Sequence, residues 1–196
     1  MAQVKVKFTS FEDYLSYSNA LEIDGFHELI DGELVELPPE SEENNWLALN
    51  LRDYLIRVVR RRLVRVHAYE VQVPVLQPKD AANRYPDLVV LRPEHLKLTQ
   101  RRLTITLDMP PPRLIVEVTS SGKTNQDRDY RHKRAQYAAI GTPEYWLIDP
   151  FAQTVMVLTL AGEAYREVGI FSREATIVSV ELRELELTVA QIFATE

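Results

Sequence analysis

Residues 114–118 have the sequence LIVEV, an apolar run that is interrupted by one acid, Glu117. Another apolar run, Leu88 to Leu91, lies upstream and directly follows Asp87. Runs in which apolar and polar residues do not alternate are typical of strands that are covered on both faces, in the middle of a sheet. The two runs therefore predict neighbouring central strands, which we expect to be antiparallel.

Helices are predicted on both sides of these strands. Apolar residues recur at helical spacing after Ser41, a suitable N-cap, and predict a helix through about Arg62. Residues 125–140 predict a second long helix, and residues 10–19 and 188–194 predict shorter ones. The two long helices are expected to flank the central strands.

Strand signals fill most of the remaining sequence. Asp31-Gly32 separates two short alternating runs, a strong signal for a two-residue hairpin, and alternation from Val64 to Leu76 predicts another strand. Further strands are predicted over residues 144–148, 154–160, 164–170 and 177–182. The order of elements predicts an α/β (α+β) fold in a single domain, residues 1–196. A mixed central sheet is expected, with an extra N-terminal hairpin and extra C-terminal strands.

Composition limits the classes of function. The chain has 196 residues, a formal net charge of −6 and no cysteine, so disulfides and thiolate metal sites are excluded. The acidic total argues against a surface that is basic throughout, although it allows a local basic patch. The apolar runs are too short to span a bilayer, and residues 1–10 lack the apolar core of a signal peptide. We expect a cytoplasmic protein without a membrane partner.

Two acids stand where the pattern predicts burial. A carboxylate such as Glu117 inside an apolar strand is costly unless it is paired, protonated or bound to a metal. Glu117 could instead face an open side of the sheet or pair with an arginine, and Asp87 could be an ordinary strand-end residue. If the two strands are paired, however, both carboxylates can meet at one sheet edge, where they suit Mg²⁺.

Lys133 is the third residue that departs from its local pattern. It shares the apolar stripe of its predicted helix with Tyr130 and Tyr137. The alternative interpretation is a lysine that extends its ammonium to solvent or pairs with Asp129. The four histidines show no metal-ligand spacing along the sequence and are expected to be incidental.

The order Pro86-Asp87, Glu117-Val118, Lys133-x-x-x-Tyr137 resembles the PD-(D/E)xK nuclease superfamily. Thr119 occupies the position at which the superfamily motif has its lysine. Some branches of the superfamily draw this lysine from the following helix, and Lys133 is suitably placed for that role.

Within this superfamily, the sequence resembles the Uma-type restriction endonucleases over roughly residues 10–195. The motifs that carry it lie at residues 27–33, 85–87, 114–120 and 141–150. The resemblance implies a restriction-endonuclease-like fold and a magnesium-dependent endonuclease that hydrolyses DNA, with Mn²⁺ as a substitute ion. It also implies a homodimer, by analogy with superfamily members that cut both strands.

The resemblance implies a role for each site residue. Asp87, Glu117 and the carbonyl of Val118 would hold the metal ion, and Lys133 would orient or deprotonate water or stabilise the transition state. A fourth carboxylate is usual on or before the first core helix. Glu33, in the family-like Asp-Gly-Glu motif, is the prediction, and the other candidates are Glu36 and Glu43.

Two other functions remain open on the sequence. A catalytically inactive module on the same fold could bind nucleic acid or protein, and Thr119 in place of the strand lysine favours this alternative. A glycosidase that uses Asp87 and Glu117 as acid and nucleophile would leave Lys133 without a role.

Overall fold

The structure is a computed structural model that describes residues 7–18, 25–119 and 128–195. In chain order, the strands of this part are His27–Ile30 (β1), Glu33–Glu36 (β2), Val64–Val66 (β3), Glu70–Gln72 (β4), Asn83–Arg84 (β5), Leu88–Val90 (β6), Thr104–Ile105 (β7), Leu114–Val118 (β8), Glu144–Asp149 (β9), Thr154–Ala161 (β10) and Ala164–Ser172 (β11). The helices are Phe11–Ser18 (α1), Glu42–Leu55 (α2), His95–Leu98 (α3), Arg134–Ala139 (α4) and Val189–Phe193 (α5). A 3₁₀ turn, Arg61–Leu63, precedes β3, and a π-helical turn, Arg128–Lys133, precedes α4.

The centre of the fold is a six-stranded mixed sheet with the strand order β11-β10-β9-β8-β6-β3. Strands β6 and β8 are adjacent and antiparallel, with Leu88 opposite Val116, so the predicted pairing of the two apolar runs is confirmed. Strand β9 lies parallel to β8 on its other side. The mixed α/β class is therefore confirmed, and the ends of β6 and β8 lie side by side.

Apolar side chains of the sheet and the helices form one main core. Leu114, Ile115 and Val116 of β8 are buried, as the unbroken apolar run predicted. Helix α2 packs against β3 and β8, and its buried residues Leu51 and Leu55 join the same core. None of the described helices is long and apolar enough to cross a bilayer.

Helix α2 is shorter than predicted, because it ends at Leu55 and not near Arg62. After Leu55 the backbone turns tightly, with the N–H of Arg57 donating to the carbonyl of Tyr54 at 3.1 Å and the N–H of Val58 to that of Leu55 at 3.1 Å. The segment contains the β-branched residues of an Ile-Arg-Val-Val run, which favour helix less than the residues before them. This turn brings the chain back to the sheet at β3.

The strand predicted from Val64 to Leu76 is two strands in different sheets. β3 joins the six-stranded sheet, whereas β4 joins a three-stranded sheet with the order β5-β4-β7. The break occurs at His67, which has a left-handed backbone with φ of +46°. A residue in this conformation cannot continue the extended ladder, so the chain changes direction there.

The prediction of a strand over residues 177–182 is wrong. Its neighbourhood contains only an isolated bridge between Thr176 and Thr188. The backbone N–H groups of Val180 and Glu181 donate instead to the carboxylate of Glu144, at 2.6 and 3.0 Å. A buried side chain therefore satisfies the donors that a neighbouring strand would otherwise have paired. Between β6 and β8 the chain forms the short helix α3 and the short strand β7.

Candidate active site and metal centre

Asp87 lies at the start of β6 and connects it to the end of β8. Its Oδ2 accepts a hydrogen bond of 2.6 Å from the backbone N–H of Val118, and the residue is only 5% exposed. Burial raises the pKa of Asp87 well above its usual value, and the nearby carboxylates of Glu117 and Glu40 add to this, against the opposing charge of Lys133. The fold thus holds an acid where a negative charge is costly.

Glu117 is the central residue of the site. Its Oε2 accepts a 2.6 Å hydrogen bond from the ammonium of Lys133, and its Oε1 accepts another of 2.6 Å from the hydroxyl of Tyr137. Burial and the charge of Glu117 raise the pKa of Tyr137 well above its usual value, so the hydroxyl keeps its proton and remains a donor. Both oxygens of this carboxylate therefore have buried donors.

Lys133 reaches the site from the junction of the π-helical turn and α4. The ammonium lies against the strand carboxylate and the residue is 7% exposed, so it does not extend to solvent. Lys133 and Tyr137 are four residues apart on one helical face, which explains how both contact the same acid. π-helical turns often occur at functional sites because they shift the phase of the following side chains.

Two residues that sequence reasoning did not select lie beside Asp87. Carboxylate oxygens of Glu40 and Asp87 and a ring nitrogen of His67 all lie within 4.8 Å of one another. Nδ1 of His67 is 3.5 Å from Oδ1 of Asp87, and burial lowers the pKa of His67, with Glu40 opposing this shift. Glu40 directly precedes the N-cap Ser41 of α2, the region in which the superfamily resemblance places its fourth acid. This position before the helix is the feature of the sequence that could have indicated Glu40.

The other candidate carboxylates lie on β2 and in the first turn of α2. Glu33 opens β2, opposite Ile30, and Glu43 lies in the first turn of α2. Glu36 lines a cavity of about 370 Å³ that Glu40 and His67 also line. Glu33 as the fourth carboxylate and the carbonyl of Val118 as a ligand stay predictions.

The side chains around Asp87 fit a divalent cation. Carboxylate oxygens are the ligands that hard divalent cations prefer, and Oδ1 of Asp87 is directed to His67 while Oδ2 is held by a backbone amide. The carboxylates of Glu117 and Glu40 disfavour the charged form of Asp87, and the ammonium of Lys133 favours it. A bound cation would relieve this excess of negative charge.

Known proteins resemble this chain in sequence and in fold. The sequence matches the family model Uma2, described as "Putative restriction endonuclease", over residues 11–190. The fold is similar to a crystal structure of a putative nuclease belonging to DUF820 from Anabaena variabilis, with a TM-score of 0.63 and 19% sequence identity over 97% of this chain and 98% of that chain. No curated protein matches this sequence.

Proposed function

This chain belongs to the Uma2 family, and we propose that it is a divalent-metal-dependent endonuclease that hydrolyses phosphodiester bonds of DNA. The observation that carries the proposal is the buried contact of Lys133 with Glu117, next to Asp87. Each of the three residues departs from its local sequence pattern, and a shared site accounts for all three departures.

Asp87 and Glu117 would hold Mg²⁺, or Mn²⁺ in its place, at the adjoining ends of β6 and β8. The cation would supply Lewis-acid stabilisation of the negative charge that builds on a scissile phosphate. Lys133 places its ammonium next to the carboxylate of Glu117 and can stabilise the same phosphate or orient the attacking water. Tyr137 holds the second oxygen of Glu117 and thereby fixes the carboxylate for its role.

Lys133 supports activity despite Thr119 at the usual lysine position. Thr119 is buried, and its hydroxyl donates to the carbonyl of Ile148 at 3.3 Å, so it completes the sheet. Lys133 brings an ammonium to within 2.6 Å of the motif carboxylate from the following helix. The positively charged side chain of the site therefore comes from the π-helical turn before α4 and not from β8. We expect the enzyme to act as a homodimer, because cutting both strands takes two such sites.

The test is cleavage of supercoiled plasmid DNA by the full chain with Mg²⁺ or Mn²⁺. Wild-type protein should nick the plasmid, and Asp87→Asn or Glu117→Gln should abolish nicking, a loss of at least about 100-fold. Glu174→Gln, at an exposed acid after β11, is the matched control and should cut like wild type. If folded wild-type protein cuts neither DNA nor RNA with either ion, the inactive binding module is the better explanation.

A further inference from the structure

Among the described histidines, His27 and His67 each have a buried ring nitrogen without a hydrogen-bond partner, and of these two it is His67 that has a ring nitrogen within 4.8 Å of carboxylate oxygens of Glu40 and Asp87. Both ring nitrogens of His95 have backbone partners, at 3.0 and 2.6 Å, and Nδ1 of His132 lies 2.7 Å from Asp80. In the part of the chain that the structure describes, Nε2 of His67 is buried and has no hydrogen-bond partner. Packing alone therefore does not account for this imidazole.

The backbone holds His67 against Asp87. The N–H of His67 donates to the carbonyl of Asp87 at 3.0 Å, so the two residues are fixed as neighbours where β3 and β6 end. The left-handed conformation of His67 then directs the side chain toward the carboxylate and not along the strand. For a residue other than glycine this conformation is uncommon and occurs often at functional sites.

The atoms that could hold an ion come together beside this ring. A ring nitrogen of His67 lies within 4.8 Å of a carboxylate oxygen of Asp87. The exposed carboxylate of Glu40 completes a group of three ligand atoms within 4.8 Å of one another. The cavity that Glu40 and His67 line gives this group access to solvent.

We propose that His67, as a nitrogen ligand, and Glu40 join Asp87 and Glu117 in holding the metal ion, and that the site therefore prefers first-row transition ions such as Mn²⁺ over Mg²⁺. The proposal rests on the metal-dependent function above and extends it by naming the class of ion. Mg²⁺ favours an all-oxygen shell with near-ideal octahedral geometry, whereas first-row transition ions also bind imidazole.

The first test is direct binding of Mn²⁺ to the full chain, followed by electron paramagnetic resonance, with Mg²⁺ as competitor. Wild-type protein should bind Mn²⁺ at least about tenfold more tightly than Mg²⁺. His67→Asn should lower the affinity for Mn²⁺ at least about tenfold and that for Mg²⁺ much less, so the preference shrinks. His132→Asn, which removes an imidazole that also faces a carboxylate, should keep the wild-type preference.

The second test needs no substitution and reads the ligand itself. Pulsed resonance spectra of wild-type protein loaded with Mn²⁺ should show hyperfine coupling to a histidine nitrogen. Labelling the histidines with ¹⁵N should change that coupling, and His67→Asn should remove it while His132→Asn retains it.

The outcomes separate this proposal from the proposed function. If Mn²⁺ binds, Asp87→Asn abolishes the binding, and no nitrogen coupling appears, His67 is not a ligand while the carboxylate metal site stands. If wild-type protein binds neither ion, the metal-dependent function fails as well. An unchanged preference in a folded His67→Asn protein would also overturn the proposal.

Discussion

Lys133 and Glu117 form a buried ion pair. Removing one partner of such a pair destabilises the fold more than removing both charges, because it leaves an unpaired buried charge. Lys133→Met would leave the carboxylate of Glu117 buried with its ammonium removed, and should lower the free energy of unfolding by about 3–5 kcal/mol. Adding Glu117→Gln should recover most of that loss, because the charge is then gone. Urea denaturation of the two variants measures the difference. A double variant as unstable as Lys133→Met would contradict the pairing. Lys133→Met alone should still bind Mn²⁺ but cleave no DNA.

Asp87→Asn should stabilise the metal-free protein. Because burial and neighbouring acids raise the pKa of Asp87 in the folded state, its ionised form opposes folding at neutral pH. A neutral amide removes that cost and should raise the free energy of unfolding on the order of 1 kcal/mol at pH 7.

The pH dependence has a definite sign. The advantage of Asp87→Asn over wild type should shrink as the pH falls through the raised pKa of the folded state, and should vanish below 3.8, the ordinary value, where the wild-type acid is protonated in both states. Chemical denaturation of both proteins between pH 7 and pH 4 checks this. An advantage that grew on acidification would show that the carboxylate is stabilised in the fold.

At the scale of single residues, site residues that break a periodic pattern can be predicted from the sequence, whereas those that do not break a pattern are missed. Glu117 and Lys133 were found because a charge in an apolar run or stripe needs an explanation. His67 was missed because its contact with Asp87 depends on one left-handed backbone angle, which no spacing along the chain encodes. Glu40 was missed as well: it lies outside any periodic element, and only its position before α2 could have indicated it.

At the scale of elements, the turn of the β1–β2 hairpin depends on Gly32. Its φ is +82°, and a Cβ added there would lie 2.5 Å from the carbonyl oxygen of Phe8. Gly162, in the β10–β11 turn, has a φ of +68° with nothing within 4 Å of an added Cβ. Gly162→Ala should therefore cost about 1–2 kcal/mol from backbone strain alone, and Gly32→Ala should cost more. Urea midpoints of the two variants test the order, and equal costs would contradict the close approach of Phe8.

The element predictions succeeded where one periodic signal decided the outcome. β8 has the predicted bounds, and β6 and β9 differ by one residue, because buried apolar runs can lie only inside the sheet. Residues 177–182 alternate like a strand, yet Glu144 accepts their backbone N–H groups. Which partner takes those donors is settled by tertiary contacts, so local alternation could not decide it.

For the whole molecule, binding of a cation to the folded state alone should raise thermal stability. At a free Mn²⁺ concentration about 100 times the Kd, the free energy of unfolding should rise by about 2.7 kcal/mol. For a chain of this size, this corresponds to an increase of about 5–10 °C in Tm. A chelator should reverse the shift and leave the protein folded, because the core is apolar and independent of metal. Differential scanning calorimetry with Asp87→Asn as control, which should show no shift, measures this effect.

The hydrogen bond from the Val118 amide to Asp87 has a further consequence. At the end of β8 this N–H donates to a side-chain oxygen and not to a backbone carbonyl. Its exchange with deuterated solvent is therefore governed by the state of one carboxylate. The amide of Val118 is therefore an intrinsic probe whose chemical shift and exchange rate report directly on Asp87.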